Sequence, residues 1–219
     1  MIIYHGSKSI VKEPQFKGSN PNNDYGPAFY MTLDLVSAKS WACRNDWVGV
    51  VNKYRIDNDS FKKLKVLNLT DRSKYSPLNW VAVLMHFRKL PQYFVQNNLQ
   101  ILNWLEKYYI DVDEYDVVIG YRADDSYFKF PVCFIDGRLA YEDLETVYLK
   151  GDLGIQYVFI SERAIKMIKY VKTIECEPDF LGHYYALIKK ASEEVNAILD
   201  LPQDYRKTYI LDLVRKDNG

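Results

Sequence analysis

Three short stretches of this chain carry side chains whose types and spacing suit chemistry. His5 stands beside Gly6 and Ser7, at the end of the apolar run 1–4. An imidazole next to a residue with no side chain lets a ligand reach both a ring nitrogen and the backbone. Tyr30 closes the stretch Gly26-Pro27-Ala28-Phe29-Tyr30 and offers a flat face on which a planar ring can stack. Gly120-Tyr121-Arg122-Ala123-Asp124-Asp125 comes after the buried-type run 117–119 and sets a guanidinium, a good phosphate partner, beside two acids. Each stretch also has a plain structural reading. A strand-end histidine is usually satisfied by its surroundings, and aromatics in an apolar run are usually core. Asp124 or Asp125 is placed to cap a helix starting near Ser126, and Arg122 is in reach of either acid.

Strands, helices and one long loop would position these groups. Residues 1–4 form a strand, 12–26 a long polar loop rich in Gly, Pro and Asn, and 28–32 a second strand or turn. A long polar loop between ordered elements is often functional. Asp34 caps a helix with Val36, Ala38 and Trp41 on its apolar face. The next strands are at 49–56 and 64–69, expected to be neighbours in one sheet. Ser76-Pro77 starts a helix striped with Trp80, Val81, Leu84, Met85 and Phe87. A second helix is expected over 95–109, the pair walling one side of a cleft, with His86 structural. After the strand at 117–119 come helical segments over 127–135 and 141–148. A strand at 155–161, a helix opened by Ser161 and a last strand at 170–175 complete the set. Beyond 178, Leu181, Tyr184, Ile188, Ala191, Val195 and Ile198 repeat at helical spacing, and 204–214 reads as another helix. These helices either pack on the domain or dock a second subunit or partner.

At 219 residues the chain holds one domain or a domain with an appendage. Lys plus Arg and Asp plus Glu are 29 each, so recognition of nucleic acid by bulk charge is not expected. Cys43, Cys133 and Cys176 are odd in number and far apart, without metal-ligand spacing or a disulfide framework. No apolar run approaches the roughly 20 residues that span a bilayer, and no leader is readable. The expectation is a cytoplasmic protein with no membrane partner and no metal.

The chemistry-bearing stretches resemble the ADP-ribosyltransferase fold, in the diphtheria-toxin and poly(ADP-ribose) polymerase branch. There a first strand carries His-Gly-Ser or His-Gly-Thr, and a later Gly-x-x-x-Tyr supplies an aromatic face. His5-Gly6-Ser7 and Gly26–Tyr30 match these. A bacterial subfamily of that fold is more similar still. It reads Tyr-His-Gly-Ser, Asp-Phe-Gly-x-Gly-Phe-Tyr-Leu-Thr, a helix ending Trp-Ala, and a strand followed by Gly-x-x-Ala-Asp-Asp. Here these are Tyr4–Ser7, Asp24–Thr32, Trp41-Ala42 and Gly120–Asp125. Ala28 stands where the pattern has Gly, and Pro27 occupies one loop position. The glutamate of the polymerase branch is replaced by Gln156, before Tyr157, as the bacterial subfamily also tends to show.

The resemblance implies an α+β fold with a split β-sheet core over 1–177; the helices read at about 76–110 are then an insertion in it, and 178–219, outside the resemblance, is a helical extension. It implies NAD as co-substrate. His5 and Ser7 would hold the adenosine-side ribose, Gly6 the nicotinamide amide, and Tyr30 would stack on the nicotinamide ring, with Tyr25 and Phe29 also at the cofactor. Gln156 would take the place of the glutamate that supports positive charge on the nicotinamide-side ribose. A carboxylate to replace that charge would come from Asp124, Asp125, Glu142 or Glu145, with Asp125 preferred. The activity implied is mono-ADP-ribosylation of a macromolecular acceptor, as in a toxin or defence effector held by a small antitoxin-like partner. The alternatives are an NAD- or ADP-ribose-binding pseudoenzyme, and an interaction protein working through 178–219, also the expected homodimer surface.

Overall fold

The computed structural model describes residues 1–44, 47–123, 129–148 and 154–218. In chain order these form β1 (Ile2–Ser7), β2 (Phe29–Met31), α1 (Leu35–Ala42), β3 (Val50–Arg55), α2 (Asn58–Phe61) and β4 (Val66–Asn68). Then come α3 (Pro77–Phe87), α4 (Gln92–Asn97), α5 (Leu99–Leu105), β5 (Val117–Tyr121), α6 (Lys129–Ile135) and α7 (Tyr141–Tyr148). β6 (Ile155–Phe159), α8 (Glu162–Lys166), β7 (Lys169–Glu175), α9 (His183–Leu199) and α10 (Ile210–Asn218) complete the chain. The fold is α+β. Among the described residues no helix is long and apolar enough to cross a membrane.

The strands make two sheets, in the orders β1-β3-β7 and β2-β6-β5-β4. All pairs are antiparallel except β4 with β5. One small bridge joins the sheets: Tyr4 and Thr32 exchange backbone hydrogen bonds of 2.8 and 2.9 Å. Beyond it β1 and β2 diverge, and the opening lies between them. Ile3 and Tyr54 from the first sheet, with Ile56 just after β3, meet Phe29, Met31, Val117 and Phe159 from the second in one buried cluster. α1 packs on β1 and β3 of the first sheet through Ala38 and Ala42, against Val51 and Cys176. The largest core lies on the second sheet, beneath α3, α5, α6 and α7.

Several expectations are corrected by this arrangement. The strands read at 49–56 and 64–69 are not neighbours: β3 lies between β1 and β7, whereas β4 pairs with β5 in the other sheet. Their partners lie far away in sequence, out of reach of any local pattern. The helix expected over 95–109 breaks at Asn98, which ends α4 and starts α5 with φ −116° and ψ 18°, and a 3-10 turn takes over at Glu106–Tyr108. In α1 the buried face is Ser37, Ala38, Ser40 and Ala42, while Val36 is exposed. Asp34 does cap this helix, accepting from Ser37 N at 2.7 Å.

The C-terminal helices carry part of the main core. Ala191 and Val195 of α9 and Ile210 and Val214 of α10 are buried in it. α9 also meets α1: Trp41 and Tyr184 pack edge to face at 5.7 Å, and Ser40 Oγ lies 2.5 Å from His183 Nδ1. Ser40 Oγ bonds to Val36 O as well, so the imidazole Nδ1–H donates to the hydroxyl and latches α9 to α1.

Candidate functional site

A cleft of about 1370 Å³ opens where the two sheets part. Its volume exceeds the roughly 300–1,000 Å³ of pockets that hold drug-sized ligands, leaving room for an extended one. β1 contributes His5 and Gly6, β2 contributes Phe29 and Tyr30, and β6 contributes Gln156. The 12–24 loop forms one rim. Trp41 and Arg44 at the end of α1, Arg88 and Lys89 just after α3, and Arg122 after β5 line the rest, with Tyr184, Tyr185 and Ile188 of α9 opposite.

His5 is half-buried and fixed in tautomer. Its Nδ1 lies 2.8 Å from the Tyr30 carbonyl oxygen, which can only accept, so the proton sits on Nδ1 and Nε2 is left as an acceptor. Burial lowers the imidazole pKa; the Tyr30 bond opposes this and the Arg44 cation adds to it. The ring is neutral at pH 7. Phe29 is nearly buried and backs it at 4.4 Å, so it supports the histidine more than it meets the cleft. Gly6 has a packing reason for being glycine. A Cβ there would lie 2.0 Å from Ala38 O and 2.9 Å from Ala42 N, so α1 could not seat on β1.

Tyr30 presents its ring while its hydroxyl is engaged. The Oη donates to Gly26 O at 2.7 Å and accepts from Tyr25 N at 3.1 Å. Burial drives the phenol pKa far up, so the hydroxyl is no acid or base at neutral pH. What remains is a rigid aromatic face. The Gly26 turn it grips has φ +76°, and a Cβ at Gly26 would lie 2.6 Å from the Phe87 ring, so glycine is required twice over.

Two residues expected at the cofactor are elsewhere. Tyr25 is 1% exposed and belongs to the core. Its hydroxyl donates to Tyr121 O at 2.7 Å and accepts from Trp80 Nε1 at 2.8 Å, and its ring lies over Gly120. Ser7 does not line the cleft. Its Oγ donates to Ser9 O at 2.5 Å and accepts from Asn52 Nδ2 at 2.9 Å. Alternation sets His5 and Ser7 on one face of β1, but Ser7 ends the strand and its hydroxyl is taken by Ser9 and Asn52.

Gln156 is 8% exposed at the floor of the cleft, and the carboxylate beside it is Asp24. Gln156 Nε2 donates to Asp24 Oδ2 at 3.0 Å. The same oxygen accepts from Ala123 N at 2.9 Å, and Arg88 Nη1 lies 3.4 Å from Oδ1. Asp24 is itself buried, at 6% exposure. Of the acids expected to replace the glutamate's charge, Asp124 and Asp125 lie outside the described residues, as does the Glu145 side chain. Glu142 is away from the cleft, accepting from Thr208 N at 3.0 Å. Among the described residues, the acids lining the cleft are Glu13 and Asp24. Asp24 and Arg88 were missed by sequence reasoning. Asp24 stood in the matched Asp-Tyr-Gly segment without a role, and nothing local marks Arg88.

The other wall is cationic and aromatic. The guanidinium carbons of Arg44 and Arg122 lie 3.6 and 4.5 Å from the centroid of the Trp41 ring. With Arg88 and Lys89, they give this cleft a basic lining in a chain of zero net charge. Among the described residues, no group of three or more His, Cys, Asp or Glu is placed to hold a metal ion.

A family model described as "Protein of unknown function (DUF3990)" matches residues 1–170, more than three-quarters of the chain. The chain belongs to that family. No curated protein and no solved structure matches it. The DUF3990 match takes in His5, Tyr30, Asp24, Arg88, Arg122 and Gln156. It leaves β7 beyond Tyr170 and the α9 wall of the cleft outside.

Proposed function

We propose that this DUF3990 protein binds NAD in the cleft and transfers ADP-ribose to a macromolecular acceptor. The observation that carries the reading is the convergence of His5, Tyr30 and Gln156 from three strands on one cleft at the split between the sheets. The chemistry present fits such a ligand. His5 Nε2 accepts from a ribose hydroxyl, the Tyr30 face stacks on a planar ring, and Gly6 brings its backbone to the cleft wall. Arg44, Arg88 and Arg122 suit a pyrophosphate. In the reaction the C–N bond between ribose and nicotinamide breaks, and its electron pair leaves on neutral nicotinamide. The acceptor's lone pair forms the new bond to the ribose carbon, and its proton passes to solvent. Gln156 would hydrogen-bond the ribose hydroxyl while positive charge grows on that ring. The ADP-ribosyltransferase-like split sheet is part of this proposal.

A second reading is favoured by one feature: Gln156 is uncharged where the resembling family has an acid. On that reading the cleft binds NAD or ADP-ribose without turnover. Incubation with labelled NAD⁺ and cell lysate tests both. Label on a macromolecule supports transfer, and thermal stabilisation by NAD⁺ without label supports binding alone. Absence of both overturns both. A role for residues 178–219 in docking a partner or a second copy would have to use the outer faces of α9 and α10, since their inner faces are in the core.

A further inference from the structure

We propose that Asp24 supplies, through the Gln156 amide, the negative charge that the ribose-facing position lacks, so that the two residues act as one acid–amide pair. This rests on the NAD reading of the cleft.

The pair is defined by its hydrogen bonds. A carboxylate oxygen only accepts, so the contact at 3.0 Å fixes the Gln156 nitrogen on the Asp24 side. Gln156 Oε1 is thereby the end left to accept from a ligand. An amide that donates to a carboxylate is polarised, and its oxygen becomes a stronger acceptor. Both residues line the same cleft as His5 and Tyr30. They come from positions 132 apart in the chain, and both are nearly buried, where charge is screened least.

Asp24 is divided between two tasks. Oδ2 takes Gln156 Nε2 and Ala123 N, while Arg88 stands 3.4 Å from Oδ1. The guanidinium offsets part of the charge felt in the cleft. The effect expected is therefore smaller than the roughly 10²–10³-fold that one well-aimed oxyanion-hole donor contributes in other enzymes. Asp24 is on this view a positioning and electrostatic residue, with Gln156 touching the substrate.

Placing the polymerase branch's glutamate at position 156 would not simply add a charge. Gln156→Glu would set a second carboxylate about 3 Å from the first, and two carboxylates so close cannot both ionise. Moving the charge avoids this. In Asp24→Asn/Gln156→Glu the acid and amide exchange places, and the hydrogen bond between them is kept.

The test uses the full-length protein. NAD⁺ binding is measured by calorimetry, nicotinamide release with water as acceptor gives kcat and KM, and circular dichroism checks folding. Asp24→Asn should lower kcat on the order of 10- to 100-fold with KM within about threefold of wild type. Gln156→Glu alone should also be slow, with a pH profile shifted by the shared proton. The double variant should recover to within about threefold of wild type. A merely structural Asp24 would instead raise KM and lower the melting temperature, and the double variant would not recover. That result, or full kcat in Asp24→Asn, overturns the pair. Wild-type protein that binds NAD⁺ and releases no nicotinamide also overturns it while leaving the binding reading standing. Failure of wild type to bind NAD⁺ overturns the cleft reading itself.

Discussion

Replacing Gly120 by Ala tests how tightly Tyr25 is fitted into the core against β5. A Cβ at position 120 would lie 2.0 Å from Tyr25 Oη and 2.6 Å from Cζ. The obstacle is a ring with no room, since Tyr25 is 1% exposed. To reach an ordinary contact of 3.4 Å the ring must retreat, and its hydroxyl then leaves both Tyr121 O and Trp80 Nε1. Overpacking of this kind costs about 1–3 kcal/mol, and each hydrogen bond lost adds about 1 kcal/mol. Trp80 Nε1 keeps a fallback contact to Tyr121 O at 3.3 Å, and removing a strand glycine returns about 0.5–1 kcal/mol. The net is a loss of about 2–4 kcal/mol, a large share of the ~5–15 kcal/mol that holds a typical domain together. Urea denaturation monitored by tryptophan fluorescence measures it. Tyr25→Ala removes the obstacle at its own cost of about 3–5 kcal/mol. In that background the added Gly120→Ala should cost under ~1 kcal/mol, so the two changes couple. A loss below ~1 kcal/mol for Gly120→Ala alone, or simple additivity with Tyr25→Ala, would refute the reasoning.

Other perturbations have defined outcomes. Tyr30→Phe removes the grip on Tyr25 N and Gly26 O and should cost about 1–2 kcal/mol, while calorimetric NAD⁺ affinity stays within a few-fold; Tyr30→Ala should lose tenfold or more. His5 is held neutral by burial, with its pKa below the ordinary value of 6.5. Its contribution to stability is present above pH ~6.5 and is lost as pH falls toward the folded pKa. The stability of wild type relative to His5→Gln should therefore decline between pH 7 and pH 5, and a flat difference would contradict the assignment. Burial, with the neighbouring Cys43 thiol in the same direction, pushes the Cys176 thiol pKa up to about 12. Mass spectrometry should find Cys176 unalkylated by iodoacetamide at pH 8 in native protein and fully alkylated in urea.

How much was legible varies with the range of the interaction. Helix starts were readable because their causes are local: Asp34 and Ser161 cap the helices just after them, Ser161 accepting from Ala164 N at 3.0 Å. His5, Gly6 and Tyr30 were legible as a set because short motifs carried them to the same cleft. Direction was harder. Tyr25 and Ser7 sit within those motifs, yet one points into the core and the other is held by Asn52. The pairing of β4 with β5 and the contact of Asp24 with Gln156 join residues 51 and 132 positions apart. No periodicity encodes such distances. Asp125 drew attention because it follows a strand end, and it lies outside the described residues; the carboxylate bonded to Gln156 is Asp24, which no local pattern marks.

The position of Trp41 gives the protein a built-in optical gauge. Of its four tryptophans, Trp80 and Trp104 are sealed in the core, whereas Trp41 lines the cleft with two guanidiniums close to its ring. An anion that draws Arg44 or Arg122 away changes the charge next to the indole, and with it the colour and intensity of its emission. Occupancy of the cleft is thus open to direct titration without label or substrate turnover. Trp41→Phe provides the blank: its remaining signal comes from the enclosed indoles of Trp80 and Trp104 and from Trp47, which lies beside Lys8 and does not line the cleft.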